Sequence, residues 1–129
     1  MQIVDTHAHI YSPDTDAYPM RTDPLLPPEG TGGIDHLLRE MNAAGVERAL
    51  LIQTFTAYEY DNRFIADTAS ANPDRTRGVV TMDPTDPAAP DLLRDLHTRS
   101  NLGAIRMYPT RDANPTFAHP GHGHLIEAA

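Results

Sequence analysis

The residues best suited to chemistry are two histidines near the start of the chain, His7 and His9, which are separated by one alanine. Side chains alternate between the two faces of a strand, so Asp5, His7 and His9 are predicted to point to the same side. Neutral imidazoles are good ligands for zinc and similar divalent cations. A lone His-x-His pattern is also typical of two hydrogen-bonded histidines at a strand end, so its meaning depends on the surrounding elements.

Three further polar residues, Gln53, Arg106 and Tyr108, lie at the ends of later apolar runs. Arg106 is suited to clamp a substrate carboxylate by paired hydrogen bonds, and the alternative is a structural ion pair with one of the many acidic residues. Tyr108 is either a substrate-orienting residue or a buried, hydrogen-bonded tyrosine. Gln53 either hydrogen-bonds a substrate or simply ends a strand. We take all three as candidate substrate-binding residues.

Three other polar residues have structural explanations that we favour. Asp61 and Asn62 come just before a predicted helix, and both residue types are good helix caps. Asp83 precedes Pro84, and the Asp-Pro pair is a routine turn, although the same carboxylate could support a site from behind. We therefore expect capping and turn formation rather than chemistry from this group.

Five more histidines lie away from the first pair. His119, His122 and His124 fall within six residues of one another and could hold a metal. The stretch is rich in glycine, however, and ordering it costs conformational entropy. We predict a loop with incidental histidines, one of which could touch substrate. His36 and His97 fall on predicted helices and are expected at the surface.

The elements that position these residues follow from the apolar pattern. Four short runs rich in branched aliphatic residues are predicted to be buried strands: Gln2–Asp5, Arg48–Gln53, Arg77–Met82 and Gly103–Met107. Helical spacing fills the gaps in Ile34–Met41, Phe64–Ala69, Leu92–Leu96 and a fourth stretch that begins near Gly123. This alternation predicts an α/β fold with parallel strands and right-handed crossovers. Tyr11–Gly33, with five prolines, is predicted to be a long functional loop.

Composition excludes several classes of function. The 129 residues suffice for one domain, and the net charge of −8 without a basic cluster argues against nucleic acid and anionic membranes as partners. The absence of cysteine excludes disulfides, thiolate nucleophiles and thiolate metal sites. No apolar run is long enough to span a bilayer, and the N-terminus does not have the pattern of a signal peptide. A cytoplasmic protein with a small-molecule substrate is the expectation.

The motifs, taken in order, resemble the N-terminal part of the amidohydrolase-related (amidohydrolase 2) family of TIM-barrel metal-dependent hydrolases. Each motif is unspecific alone, whereas the ordered set is specific. The matching segments are Val4–His9, Leu51–Thr54, Asp61–Asn62, Asn72–Arg75 followed by Gly78–Val80, Met82–Pro84 and Gly103–Tyr108.

This resemblance implies that residues 1–129 form the N-terminal half of a (β/α)8 barrel, with about four parallel strands and outer helices. Such a barrel needs about 250 residues and eight strands, so we expect a truncated domain that ends within its fourth helix. The resemblance implies that His7 and His9 are the first two ligands of a divalent metal, most simply zinc. Some members of the lactone-hydrolysing branch work without a metal. The resemblance also places the general base in the C-terminal half.

Gln53, Asp61-Asn62 and Arg106 resemble most closely the branch that hydrolyses lactones. The implied function is hydrolysis of a lactone or similar cyclic ester of a small carboxylic acid, and this chain alone is expected to be inactive. The alternatives are a metal-dependent decarboxylase of the same superfamily and a non-catalytic half-barrel remnant. A half-barrel has two open sheet edges, so we also expect self-association.

Overall fold

Four parallel strands form the sheet of the computed structural model, which describes residues 1–129. The strands are hydrogen-bonded in chain order and are β1 (Val4–Ala8), β2 (Arg48–Ile52), β3 (Thr76–Thr81) and β4 (Leu102–Arg106). The helices are α1 (Ile34–Ala44), α2 (Phe55–Tyr58), α3 (Arg63–Ala71), α4 (Ala89–Arg99) and α5 (Pro120–Ala128). The prediction of an α/β fold with four successive βα units, half of a (β/α)8 barrel, is confirmed.

The core lies between the sheet and the helices, in two clusters of buried apolar side chains. One cluster joins Ala8, Ile10 and Leu51 to the helical residues Ile65 and Ala69. The second consists of Ala66, Val80, Met82, Ala89, Leu93, Leu96, Leu102 and Leu125. The opposite face of the sheet, which would face the inside of a closed barrel, is therefore free to carry polar side chains.

Three elements differ from the prediction. Strand β1 covers Val4–Ala8 rather than Gln2–Asp5, so it includes His7. The one-turn helix α2 was not expected, because four residues are too few to show a helical period. Helix α5 begins at Pro120 rather than near Gly123, with Pro at its first turn and His119 as N-cap. The Nδ1 atom of His119 accepts a hydrogen bond from the N–H of Gly121 at 3.2 Å. The prediction of a loop at His122 and His124 is therefore wrong, since both lie on this helix.

The outer edges of the sheet belong to β1 and β4, each of which is paired on one side only. Unpaired strand edges are templates for association, and self-association through them stays a prediction. None of the helices is long and apolar enough to cross a bilayer.

Candidate functional site

The two histidines of the opening motif converge at the C-terminal end of β1. The Nε2 atoms of His7 and His9 are 3.2 Å apart, and the two rings meet edge to face at 84°. The Nδ1 atom of His9 lies 3.0 Å from the carbonyl oxygen of Ile52. A carbonyl can only accept, so Nδ1 of His9 carries the proton and its Nε2 presents a lone pair toward His7.

The surroundings of His9 favour its neutral form, which is the form that binds metals. Partial burial lowers the pKa of His9 below its usual value, and coulombic repulsion from Arg106 and from His7 acts in the same direction. The hydrogen bond to Ile52 opposes this pKa shift without overcoming it. A neutral imidazole with a free Nε2 lone pair, next to a second imidazole, is a donor set that fits a divalent cation such as zinc.

A β-bulge in β1 aims this pair. In the ladder with β2, Asp5 pairs with Ala49 and Ala8 pairs with Leu51, so β1 contains one extra residue between them. Asp5 and Ala8 therefore share the outer face, where Ala8 packs in the core. The prediction that Asp5 points to the same side as His7 and His9 is wrong, and only the two histidines share a face. The carboxylate of Asp5 instead accepts the backbone N–H of His7 at 2.9 Å.

The histidine pair has no third ligand among the residues of this chain. No group of three or more His, Cys, Asp or Glu side chains lies close enough together to hold a metal. Catalytic zinc usually has three protein ligands and an open position. The assignment of His7 and His9 as metal ligands therefore stays a prediction, and the geometry supports it as half of a ligand set.

At the C-terminal end of β4, two arginines and two aromatic rings form an arginine–aromatic stack. The guanidinium carbon of Arg106 lies 4.7 Å from the ring centre of Tyr108, whose ring centre lies 4.8 Å from that of Phe55. The guanidinium carbon of Arg111 lies 4.7 Å from the ring centre of Phe55. Neither guanidinium makes a hydrogen bond or an ion pair, so the ion-pair explanation of Arg106 is not observed.

Sequence reasoning did not identify Arg111 or Phe55 as part of this group. Arg111 lies in the irregular segment after β4, and Phe55 begins the unexpected helix α2. Neither residue belongs to a periodic pattern in the sequence. They come close together because β2 and β4 lie on either side of β3 in the sheet. The stack contains two guanidinium groups without an ion-pair partner, and a guanidinium is suited to bind a carboxylate by paired hydrogen bonds.

Gln53 is fully buried and holds a loop in place. Its Nε2 atom donates to the carbonyl oxygens of Glu59 at 3.0 Å and Asp61 at 2.7 Å, and its Oε1 atom has no partner. Glu59 has a φ of 51°, a conformation that is strained outside glycine, so the contact stabilises an unfavourable turn. A contact between Gln53 and substrate stays a prediction.

Asn62 occupies the N-cap position of α3, but its side chain serves the sheet. Its amide donates to the carbonyl of Thr81 at 2.8 Å, and its Oδ1 accepts the N–H of Thr81 at 2.9 Å. The prediction that this side chain caps the helix is wrong. The amide is buried at the end of β3, where it satisfies backbone groups of the strand that would otherwise lack hydrogen-bond partners. Asp61 does accept the N–H of Arg63, at 3.1 Å.

The remaining candidates have structural roles. Asp83 accepts both the backbone N–H and the hydroxyl of Thr85, at 2.8 and 2.7 Å, which supports the turn interpretation. His97 and His124 are exposed, and His36 is half-buried beside Arg39. His122 is buried and is considered separately below.

Comparison with known proteins gives the fold. No family model matches the chain, and no curated protein matches it. One similar structure is a probable 2-pyrone-4,6-dicarboxylic acid hydrolase from Acinetobacter baumannii, solved with citric acid bound. It is 16% identical with a TM-score of 0.75, and 99% of this chain matches 45% of that protein. A 5-carboxyvanillate decarboxylase from Sphingomonas paucimobilis is 23% identical with a TM-score of 0.68, and 98% of this chain matches 48% of that protein.

A 2,6-dihydroxybenzoate decarboxylase from Rhizobium is 18% identical with a TM-score of 0.62, and 99% of this chain matches 48% of it. The chain thus spans less than half the length of each of these three enzymes. At such identities the likeness shows a shared fold, and the chain matches it over almost its whole length.

Proposed function

We propose that this chain supplies the metal-binding half of a (β/α)8 hydrolase site that opens a lactone or similar cyclic ester of a small carboxylic acid. The observation that carries the proposal is the 3.2 Å approach of the Nε2 atoms of His7 and His9. The guanidinium of Arg106, which has no ion-pair partner, belongs to the last residue of β4, at the same C-terminal edge of the sheet as the histidines, and this edge is the mouth of the site. Its charge lowers the pKa of His9. Two imidazoles that can bind a metal, at the same edge as an arginine without an ion-pair partner, suit a substrate that has both a carbonyl and a carboxylate.

His7 and His9 would hold the cation, and zinc fits two neutral imidazoles. When bound, a divalent cation polarises a carbonyl or lowers the pKa of a water molecule. Arg106 binds a substrate carboxylate away from the reacting carbonyl, and Tyr108 keeps the guanidinium in place by stacking. Arg111, at the other end of the stack, is placed for a second carboxylate, which favours a dicarboxylic substrate.

The general base is assigned to strands five to eight of such a barrel. Asp5 lies on the outer face of the sheet, and Asp83 holds a turn through its hydrogen bonds to Thr85, so neither is aimed at the histidine pair. Base catalysis typically contributes about 10²–10⁴-fold, so its absence alone removes most of the rate.

A decarboxylase is the second candidate function. Two of the three solved structures described above are named as decarboxylases, one of 5-carboxyvanillate and one of 2,6-dihydroxybenzoate. The same features serve it, because Arg106 would orient the carboxylate in either case. The two functions differ in product, since hydrolysis opens a ring by adding water and decarboxylation releases carbon dioxide.

Arg106→Ala is expected to weaken binding of isophthalate, a stable aromatic dicarboxylate, by about tenfold, because it removes charge-assisted hydrogen bonds. Binding is measured on the 129-residue chain by NMR titration. The control is Arg94→Ala, which removes an exposed arginine that pairs with Asp91 at 2.9 Å on α4. Equal losses in the two variants would mean that isophthalate responds only to net charge, and would contradict a carboxylate site at Arg106.

For activity, we expect no turnover by the 129-residue chain, and ring opening of 2-pyrone-4,6-dicarboxylate by a protein in which the same chain is continued through strands five to eight. Both are assayed with and without added zinc, with carbon dioxide release from 5-carboxyvanillate measured in parallel. Carbon dioxide without ring opening selects the decarboxylase. Turnover by the short chain would refute the assignment of the base, and inactivity of both would favour the non-catalytic remnant.

A further inference from the structure

His122 is a buried polar residue in the first turn of α5 that the proposed chemistry does not use. It is only 5% exposed. Its Nε2 atom lies 2.8 Å from the carbonyl oxygen of Tyr108, and its Nδ1 atom lies 3.2 Å from the carbonyl of His119. Both partners are carbonyls, which can only accept, and a neutral ring carries a single N–H. We place that proton on Nε2, whose contact is the shorter, so Nε2 donates to Tyr108.

The backbone at Tyr108 depends on this contact. The ladder between β3 and β4 ends at the pair Thr81–Arg106, so the sheet does not hold residues beyond it. In the segment that leads to α5, the internal backbone hydrogen bond runs from the N–H of Thr110 to the carbonyl of Thr116. No backbone N–H donates to Tyr108, and the side chain of His122 alone satisfies its carbonyl.

The other end of the contact is fixed. The next residue toward the N-terminus, Gly121, lies against the carbonyl of Pro84 so closely that a Cβ atom could not fit. Leu125, less than one turn further along α5, is 1% exposed in the second core cluster. His122 therefore projects from a helix that is anchored to the end of β3 and to the core.

We infer that His122 is a positioning residue for the arginine–aromatic stack. By holding the Tyr108 carbonyl, it fixes the tyrosine ring on which Arg106 lies, and so places the guanidinium at the mouth of the site. The consequence for carboxylate binding rests on the proposed function, whereas the consequence for the position of Arg106 does not. Without the hydrogen bond, Tyr108 and Arg106 lose their common orientation.

The test compares His122→Phe, which keeps a ring but loses the donor, with His122→Gln, which keeps an N–H donor. His124→Phe, at an exposed position of the same helix, is the matched control. The first readout is the ring-current shift of the Arg106 δ-protons, which report on stacking against Tyr108. The second is isophthalate affinity by NMR titration.

We expect the ring-current shift to disappear and the isophthalate affinity to fall about fivefold in His122→Phe, because one net hydrogen bond is lost. Both should be retained in His122→Gln and His124→Phe. An unchanged Arg106 shift in His122→Phe, or a glutamine variant that behaves like the phenylalanine variant, would overturn the inference. If the wild-type chain binds no isophthalate, the proposed function fails, and the ring-current comparison still decides the role of His122.

A measurement on the wild-type chain guards against variants that do not fold. Nitrogen-15 NMR of His122 is expected to show the tautomer that is protonated at Nε2, with a slowly exchanging proton. Protonation at Nδ1 alone would contradict the hydrogen bond to Tyr108 and with it the inference.

Discussion

Replacing Gly121 by alanine is expected to lower the free energy of unfolding by about 3 kcal/mol, the upper end of the usual cost of overpacking. A Cβ atom at this position would collide with the backbone carbonyl of Pro84 and lie 3.1 Å from Nδ1 of His119. A backbone carbonyl cannot move aside as a flexible side chain does, so α5 must shift as a whole. That shift would expose Leu125, which is fully buried, and would break the contact between His122 and Tyr108.

Gly123→Ala is the matched control for this prediction, because it makes the same chemical change two residues further along α5. A Cβ atom there would have nothing within 4 Å. Alanine is favoured over glycine inside a helix by about 0.5–1 kcal/mol, so this variant should be more stable than the wild type. Urea unfolding of both variants measures the difference, and equal effects of the two substitutions would contradict the close approach at Gly121.

Zinc is expected to bind the 129-residue chain, and His9→Ala should weaken that binding by more than about 100-fold. Loss of a hydrogen-bond partner that only orients a metal ligand typically costs 10–100-fold in affinity, and the removal of a ligand costs more. His9 is one of two ligands here, and the Ile52 carbonyl fixes its proton on Nδ1, so the free Nε2 is lost with it. Isothermal titration calorimetry gives the affinity.

The free energy of unfolding gives an independent test of zinc binding at the same site. At 100 times its dissociation constant, zinc should stabilise the folded chain by about 2.7 kcal/mol, and a chelator should reverse the effect. His124→Ala removes an exposed histidine on α5 and should leave zinc affinity unchanged. If His9→Ala binds zinc as tightly as the wild type, or if His124→Ala binds it as weakly as His9→Ala, the pair of His7 and His9 is not the site.

The fold was predictable because short, branched apolar runs that alternate with amphipathic stretches leave little choice of topology. The start of α5 could not be predicted, because proline and glycine, its first residues Pro120 and Gly121, are typical of loops. Gly121 is required for a reason that a local pattern does not carry: the carbonyl of Pro84, far away in the chain, lies against it.

The candidate site was predictable to a similar extent. His7, His9 and Arg106 could be named because residue type and strand-end position already indicate chemistry. The roles of Gln53 and Asn62 depend on which backbone groups lie opposite them after folding, such as the Thr81 carbonyl that Asn62 reaches across 19 positions of sequence. Residue type alone does not specify such partners.

The bulge in β1, together with the number of residues that precede the histidine pair, decides which face of the sheet the two imidazoles occupy. Between Asp5 and Ala8 the first strand advances by one residue more than its neighbour. A regular pleat over the same residues, with Asp5 kept on the outer face, would turn both imidazoles against the helices and Ala8 into the interior. An in-frame loss of the Thr6 codon would instead remove the extra residue, so that Asp5 and Ala8 stand two residues apart and the histidines keep their direction. Two proteins that both carry a His-x-His sequence can therefore be equivalent at this site although their first strands differ in length by one residue, provided that the longer strand contains the bulge. A gene alignment of two such proteins should place its gap between Asp5 and His7.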